Sequence, residues 1–183
     1  MNKEFDDLTI LIKSNLNSPE DHESQALFDS FKDVKKKGFF SKQQFYKVAM
    51  WKTPRPKNRY LSNSEEYIKE ISKGVLSTHS EDAKMALLTS LDGVSIAVAS
   101  SLLTMIDPKH YGIIDIRVWQ LLHRYGEVKT KPSGQGFNLN DWKTYLAILR
   151  KYAAQLRMNV RDVERILFFY HRKIQVGNLY PRQ

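Results

Sequence analysis

The sequence predicts an all-α fold without a β-sheet. Nearly every segment repeats its apolar residues at the helical period of about 3.6 residues, and no convincing pair of alternating strand segments occurs. Helix-start signals recur as Ser, Asn or Asp just before these periodic segments. With 183 residues, 42% of them hydrophobic, the chain is large enough for a buried core without disulfides.

The first strong helix signal begins at Ser41. Ser41 is placed to cap a helix and Gln44 to bond back to that cap, so a helix is predicted to about Trp51. The two prolines of Lys52–Pro56 then predict an extended loop.

Later helices are predicted in the same way, from a capping residue followed by a periodic apolar face. A glycine- and lysine-rich segment, 126–140, separates two of them and is predicted to be an exposed loop. The predicted helices follow Ser64, run from about Ser80 to Leu91, open at Asp115, run from about Trp142 to Leu156, and run from Asn159 to Phe169.

Positive charge is concentrated in one segment. The chain carries 29 Lys and Arg against 20 Asp and Glu, a net charge of +9, and no acid occurs between Val34 and Ser64. A field of this sign attracts polyanions, so nucleic acid is the partner that the charge favours, with a merely soluble basic protein as the alternative. The bases of this segment are Lys35, Lys36, Lys37, Lys42, Lys47, Lys52, Arg55, Lys57 and Arg59.

The chain has no cysteine, which excludes disulfides, a cysteine nucleophile and cysteine-held zinc or iron–sulfur clusters. Its first residues, MNKEFDDLTILIK, carry acids where a secretory signal carries bases. The most apolar run, Val94 to Ile106, is too short to cross a bilayer. We expect a soluble, cytoplasmic protein without a membrane partner, acting as a monomer.

A glycine interrupts two helical patterns at Leu91–Ser95. Gly93 is able to take the positive φ that a tight reversal needs, and Val94 is placed to enter the core. Such a turn points backbone N–H groups and the positive end of the next helix outward, where a phosphate can bind. An ordinary helix–helix corner is the alternative.

Asp115 precedes the periodic segment Ile116–Leu122. An aspartate in this position is typical of a helix N-cap, and a cap does not preclude a catalytic role.

Together, these segments resemble the helix-hairpin-helix DNA glycosylase superfamily of endonuclease III and its relatives. The resemblance lies in Leu91–Ala99, Pro108 and Tyr111–Val118. These align without a gap with the family's Leu-Pro-Gly-Val-Gly turn, a following Ala, a Pro, and an Asp that opens the next helix.

The resemblance implies a single two-lobed helical unit, residues 1–183, with a cleft between the lobes. One lobe would comprise about residues 39–110, with the helix-hairpin-helix at 81–105, and the other about 1–38 plus 111–183.

The departures from the family pattern concern the turn and the residue that follows it. Asp92 replaces the family's proline, Ser95 replaces the second glycine, and Ala97 replaces the lysine of bifunctional members. Without that amine no Schiff base forms with the sugar by the usual route. The cluster cysteines of some relatives are absent as well. A monofunctional glycosylase, or a fold that has lost its chemistry, is therefore implied.

By resemblance, Asp115 is the catalytic carboxylate of an enzyme that hydrolyses the N-glycosidic bond of a flipped, damaged or modified base. No metal is needed for this chemistry and no cofactor is expected, although hairpin carbonyls hold a monovalent cation in the family. The partner would be duplex DNA with an extrahelical or damaged nucleotide. Its predicted contacts are Leu91, Gly93, Val94, Ser95, Ala97, Lys52, Arg55, Lys57 and Arg59.

Four residues are candidates for a base pocket. Trp51 and Tyr46 precede the basic, proline-containing segment and offer stacking faces, with a core position as the alternative for Trp51. His110 and Tyr111 lie near Asp115 in the sequence and are expected either in the cleft or on a surface loop.

Two other functions compete with the glycosylase interpretation. One is a non-catalytic helix-hairpin-helix DNA-binding protein in which Asp115 only caps a helix. The other is an adaptor whose hairpin binds RNA or protein. The resemblance does not identify the base or lesion that would be excised.

Overall fold

A computed structural model describes residues 4–177 and residue 179. Within that part the fold is all-helical and contains no β-strand, as the sequence predicts. In chain order the helices are α1 (Leu8–Ser14), α2 (His22–Phe31), α3 (Val34–Lys37), α4 (Lys42–Lys52), α5 (Lys57–Ser62), α6 (Glu65–Ser77), α7 (Glu81–Thr89), α8 (Ile96–Ile106), α9 (Ile116–Arg124), α10 (Leu139–Leu156) and α11 (Val160–Ile174).

Side-chain caps set several of the helix starts that the sequence predicts. Ser41 accepts a hydrogen bond from the Gln44 N–H, and the Gln44 side chain accepts one from the Ser41 N–H, so the predicted capping box opens α4. Ser64 caps α6 and Ser80 caps α7 in the same way through one bond each. The last helix differs from the prediction, because α11 continues to Ile174.

The segment after Pro56 corrects the sequence prediction. Residues 57–62 form the short helix α5, so Lys57 and Arg59 lie on a helix rather than on a proline-stiffened loop. Pro56 occupies the N-cap position of α5, where a missing N–H removes no helical hydrogen bond.

The long connection between α9 and α10 is only partly exposed. Val128 is buried, and the Trp119 indole N–H donates to the Thr130 carbonyl at 3.1 Å. Gly134 has a φ of +68°, and a Cβ on it would lie 2.9 Å from the Ile116 carbonyl oxygen. A glycine is therefore required where this connection packs against the start of α9.

A continuous apolar core surrounds α8, which packs against α2, α4, α7 and α10. The small residues Ala99, Ser100 and Ser101 are buried there and let the neighbouring helices lie close. On the other side of the core, α11 packs against α1, α9 and α10. In the part of the chain that is described, no helix is both long and apolar enough to cross a membrane.

Candidate functional site

The connection between α7 and α8 is a tight reversal around Gly93. Gly93 takes the predicted positive φ, +83°, and Val94 is buried beneath it. Ser95 caps α8 by accepting a hydrogen bond from the Val98 N–H, so a serine satisfies this position without the second glycine.

This turn is fixed against the end of α5. The buried Asn63 amide accepts a hydrogen bond from the Asp92 N–H at 2.8 Å and donates one to the Asp92 carbonyl at 3.1 Å. The Asp92 carboxylate lies 3.6 Å from the Arg59 guanidinium and accepts from the Ser62 hydroxyl. The turn and Arg59 of α5 therefore lie side by side.

Asp115 is the N-cap of α9. Its Oδ1 accepts a hydrogen bond from the Arg117 N–H at 2.9 Å, and its Oδ2 accepts one from the Lys52 ammonium at 2.7 Å. Burial alone would raise the pKa of Asp115, but the Lys52 charge and these two hydrogen bonds outweigh it and hold the pKa below its ordinary value. The carboxylate is therefore ionised at neutral pH.

The backbone that leads into Asp115 is held from two sides. The Ile114 N–H donates to the Ser100 hydroxyl of α8 at 3.1 Å, and the Tyr145 hydroxyl of α10 donates to the Ile113 carbonyl at 2.8 Å. Both bonds are buried, so the position of Asp115 is set by the core rather than by a mobile loop.

A cavity of about 370 Å³ opens on one side of the Lys52–Asp115 pair. We call it the aromatic cavity, because Trp51, Phe168 and Phe169 line it. Its volume lies within the range of about 300–1,000 Å³ that small-molecule sites occupy. Its other lining residues are Asp21, Glu23, Ser24, Lys52, Ile113, Asp115, Arg161, Glu164 and Arg172.

A buried ion cluster lies at the wall of the aromatic cavity. The Arg161 guanidinium pairs with Glu164 and, at 2.6 Å, with Glu20, and all three side chains are almost fully buried. Burial raises the pKa of Glu164 although the Arg161 charge opposes this. Sequence reasoning missed this cluster. The available signal was the spacing of residues 161, 164, 168 and 172, which places polar and aromatic side chains on one face of α11.

A second cavity, also of about 370 Å³, opens on the other side of the Lys52–Asp115 pair. We call it the glycine-loop cavity, because residues 134–137 of the α9–α10 connection line it. Ala97 lines it as well, so the position that bears a lysine in the resembled family lies beside Asp115. The full lining is Lys52, Thr53, Arg55, Ala97, Ile114, Asp115, Ile116, Gly134, Gln135, Gly136 and Phe137.

The predicted basic contacts divide into two groups. Lys52, predicted as a DNA contact, is largely buried and pairs with Asp115, whereas Arg55 is exposed at the glycine-loop cavity. Lys57 and Arg59 are both exposed on α5, and Arg59 lies beside the turn.

The base-pocket candidates also divide. Trp51 lines the aromatic cavity and, together with Tyr46, an adjoining apolar pocket. His110 and Tyr111, which were expected either in the cleft or on a surface loop, line neither cavity at Asp115. Residues 112–114, which separate Tyr111 from Asp115, are non-helical and buried. The exposed His110 ring contacts Asp107 and the buried Tyr111 ring stacks on Trp142.

Among the described residues, no group of three or more His, Cys, Asp or Glu side chains is arranged to hold a metal ion.

In comparisons with known proteins, no protein-family model, no curated protein and no solved structure was found that matches this chain.

Proposed function

We propose that this protein binds duplex DNA and hydrolyses the N-glycosidic bond of an extrahelical, damaged or modified base, with Asp115 as the catalytic carboxylate. The observation that carries the proposal is the place of Asp115. An ionised, core-anchored carboxylate lines two cavities, and Ala97, in the first turn of α8, lines one of them with it. This is the arrangement that the resemblance to helix-hairpin-helix glycosylases implies.

The linings of the cavities favour a two-lobed arrangement with a cleft. The aromatic cavity combines Trp51 and Lys52, from the proposed first lobe, with α2 and α11 residues from the second. The glycine-loop cavity likewise combines Arg55 and Ala97 with residues 114–116 and 134–137. A nucleotide that enters between the lobes would have Asp115 in the wall of either cavity.

In the proposed reaction, the base leaves with the electron pair of the glycosidic bond and the sugar becomes cationic at C1′. The Asp115 carboxylate stabilises that charge and accepts a proton from the water that attacks C1′, and that proton then passes to the departed base, which restores the ionised carboxylate. The products are a free base and an intact strand with an abasic sugar. Ionised Asp115 is sufficient for these steps, so the proposal requires no metal in the chemistry.

The proposed helix-hairpin-helix comprises α7, the turn at Gly93 and α8. The Val94 N–H already donates to the Leu91 carbonyl at 3.1 Å, so the Ser95 N–H, together with the exposed Lys57 and Arg59 of α5, would bind backbone phosphates. The attachment of the turn to Asn63 keeps these groups on one surface. We propose that the protein binds DNA through them as a monomer.

A non-catalytic DNA-binding protein is the second candidate, and a specific observation favours it. Both carboxylate oxygens of Asp115 already have partners, the Arg117 N–H and the Lys52 ammonium. A carboxylate in this state can act purely as a helix cap and a structural ion-pair partner.

Single-turnover base release from duplexes that each carry one modified base tests the proposal. We expect at least one duplex to yield a free base and a strand that breaks only after alkali or heat, whereas the unmodified duplex stays intact. Tight binding of abasic-site DNA, with no release from any duplex, would favour the non-catalytic candidate. Absence of any DNA binding would exclude both and leave the adaptor.

A further inference from the structure

The two cavities at Asp115 differ in chemistry although they share the Lys52–Asp115 pair. The aromatic cavity has three aromatic side chains, three further carboxylates, Asp21, Glu23 and Glu164, and two guanidinium groups, those of Arg161 and Arg172, so its carboxylates still outnumber its cations. In the glycine-loop cavity, Asp115 is the sole carboxylate among the described lining residues, and the two cations Lys52 and Arg55 line the cavity with it. The first cavity therefore favours an aromatic, hydrogen-bonding group and the second favours an anion.

Arg55 has no partner for its charge. Within the described residues, its guanidinium makes no hydrogen bond or ion pair, and it is exposed at the glycine-loop cavity. A guanidinium presents five donors in a planar fork that matches a phosphate. Lys52, by contrast, already contacts Asp115 at 2.7 Å, so Arg55 is the cation that is available to a ligand.

The glycine loop adds backbone donors to this cation. Gly134 and Gly136 both take positive φ, +68° and +65°, and neither covers its backbone with a side chain. In the described part of the chain, the N–H groups of Gln135 and Gly136 donate to no other residue. Exposed backbone N–H groups beside a guanidinium form a setting that binds phosphate oxygens.

The glycine-loop cavity also contains an aromatic ring, that of Phe137, but this ring does not make the cavity a site for a base. Phe137 packs on Trp119, with ring centroids 5.2 Å apart, so its ring is already engaged in a contact with the core. A flipped nucleotide places its base and its phosphate on opposite sides of the sugar, and Asp115 lies between the two cavities.

We propose that the glycine-loop cavity is a subsite for the DNA phosphate next to the extrahelical nucleotide, bound by Arg55 and by the N–H groups of Gln135 and Gly136, while the aromatic cavity takes the base. This inference rests on the proposed function. It assigns Arg55 to one particular phosphate rather than to the general field of the basic segment.

The experiment compares one arginine variant and one lysine variant on DNA duplexes in which a single phosphate has been made neutral. Affinity is measured for a duplex with a central tetrahydrofuran abasic analogue and for duplexes in which one phosphate near the lesion is a neutral methylphosphonate. Arg55→Gln is the test variant. Lys57→Gln is the matched control, because Lys57 is an exposed cation two positions away that does not line the cavity.

Arg55→Gln is expected to weaken binding to the normal abasic duplex roughly tenfold, the scale of one hydrogen-bonded charge pair. On the duplex whose single methylphosphonate lies next to the lesion, the affinity of Arg55→Gln should be less than about twofold below that of the unsubstituted protein, because the phosphate charge that Arg55 would bind is already absent there. Lys57→Gln should show no such dependence on the phosphate next to the lesion, because Lys57 does not line the glycine-loop cavity.

An equal effect of Arg55→Gln on every methylphosphonate duplex, or equal effects of the two variants, would overturn the phosphate subsite and leave the proposed function standing. Failure of the unsubstituted protein to bind abasic DNA would instead overturn the proposed function and this inference with it. Because Arg55 is exposed and without a partner, a folding defect in Arg55→Gln is not expected.

Discussion

The Lys52 ammonium lies 2.7 Å from the Oδ2 of Asp115, although the two residues are 63 positions apart in the chain. Lys52 is in the last turn of α4 and Asp115 caps the first turn of α9. Each charge therefore also complements the dipole of its own helix. With side chains only 13% and 19% exposed, the pair is shielded from most of the screening that weakens surface ion pairs.

Replacement of Lys52 by methionine should raise the pKa of Asp115. Burial favours the neutral acid and, without the ammonium, only the hydrogen bond from Arg117 and its charge oppose it. In the wild type the lowered pKa contributes stability above the ordinary value of about 3.8, and this contribution is lost as pH falls through the native pKa. We expect the acidic limb of the pH profile of base release to move to higher pH in Lys52→Met.

Lys47→Met is the control for this prediction, because Lys47 is an exposed cation on the same helix that does not line either cavity at Asp115. It should change the affinity for DNA without moving the pH profile. Identical profiles for Lys52→Met and the wild type would show that the ammonium does not control the ionisation of Asp115.

Base release by this protein should be hydrolytic rather than coupled to strand cleavage. Ala97 supplies no amine, and an ammonium that is ion-paired with Asp115, as Lys52 is, has no free lone pair. Borohydride added during the reaction should therefore trap little covalent protein–DNA complex. Efficient trapping at neutral pH would contradict this, and its loss in Lys52→Met would identify Lys52 as the amine.

Local signals account for the parts of the fold that the sequence predicts well. The capping box at Ser41 and the positive φ of Gly93 depend on residues within a few positions, and both are present. The helix α5 was missed because the two prolines before it suggested an extended loop, although a proline at a helix start is compatible with a helix.

The parts of the site that sequence reasoning missed depend on distant partners. The buried charge of Arg161 is paired with that of Glu20, which lies 141 positions away in the chain. No local sequence pattern predicts such a pair. In the sequence, Lys52 is one of nine cations in a basic segment. Its ion pair with Asp115 depends on the packing of α4 near α9, which the sequence does not indicate. The segment that resembles glycosylases ends before α10 and α11, so it gave no information about that wall of the aromatic cavity.

Asp92→Asn should strengthen DNA binding if the turn contacts phosphate. The carboxylate is half-exposed at the turn and would repel a phosphate bound there. Removing one such repulsion should raise affinity at low salt about two- to threefold, and the gain should shrink as salt increases. Asp82→Asn on α7 is the matched control, since Asp82 is similarly exposed but pairs with Lys143 away from the turn.

Gly93 is a poorer probe of the same contact. A Cβ there would lie 2.9 Å from the Arg59 Cβ and 3.0 Å from the Tyr60 ring, so even Gly93→Ala should destabilise the fold. Weaker binding by Gly93→Glu would therefore combine a folding effect with charge repulsion. Equal affinities of Asp92→Asn and the wild type at low salt would argue that the turn lies away from the phosphates.

Stability should fall as pH is lowered from about 6.5 to about 4, because of His171. Burial, followed by the charges of Arg117 and Arg124, lowers the pKa of this buried imidazole to about 4. The unfolded chain binds the proton in that interval and the native protein does not, so up to about 3 kcal/mol of unfolding free energy is lost across it. Urea unfolding at several pH values measures this slope.

His171→Gln should flatten that part of the slope, whatever its effect on stability at pH 7, because glutamine does not titrate. His79→Gln, at an exposed position, should leave the slope unchanged. A slope between pH 6.5 and 4 that survives in His171→Gln would assign the acid sensitivity to other groups.

Asp115→Asn separates the catalytic role of Asp115 from its structural one. Asparagine caps helices about as well as aspartate, so the hydrogen bond from the Arg117 N–H can be kept. The variant leaves the Lys52 ammonium without its anion, which should lower the unfolding free energy by about 1–3 kcal/mol. The double variant Asp115→Asn/Lys52→Met removes that unpaired charge and should recover most of the loss.

The effect of Asp115→Asn on base release should be much larger than its effect on stability. A neutral amide cannot balance the positive charge that develops at C1′, so base release by Asp115→Asn should fall by orders of magnitude while DNA binding is retained or tightened. The double variant should be equally inactive although it is more stable, which separates lost chemistry from lost folding. The measurement is single-turnover release at saturating protein. If the wild type excises a base and Asp115→Asn matches its rate within a few-fold, Asp115 is a helix cap alone and the proposed mechanism is wrong.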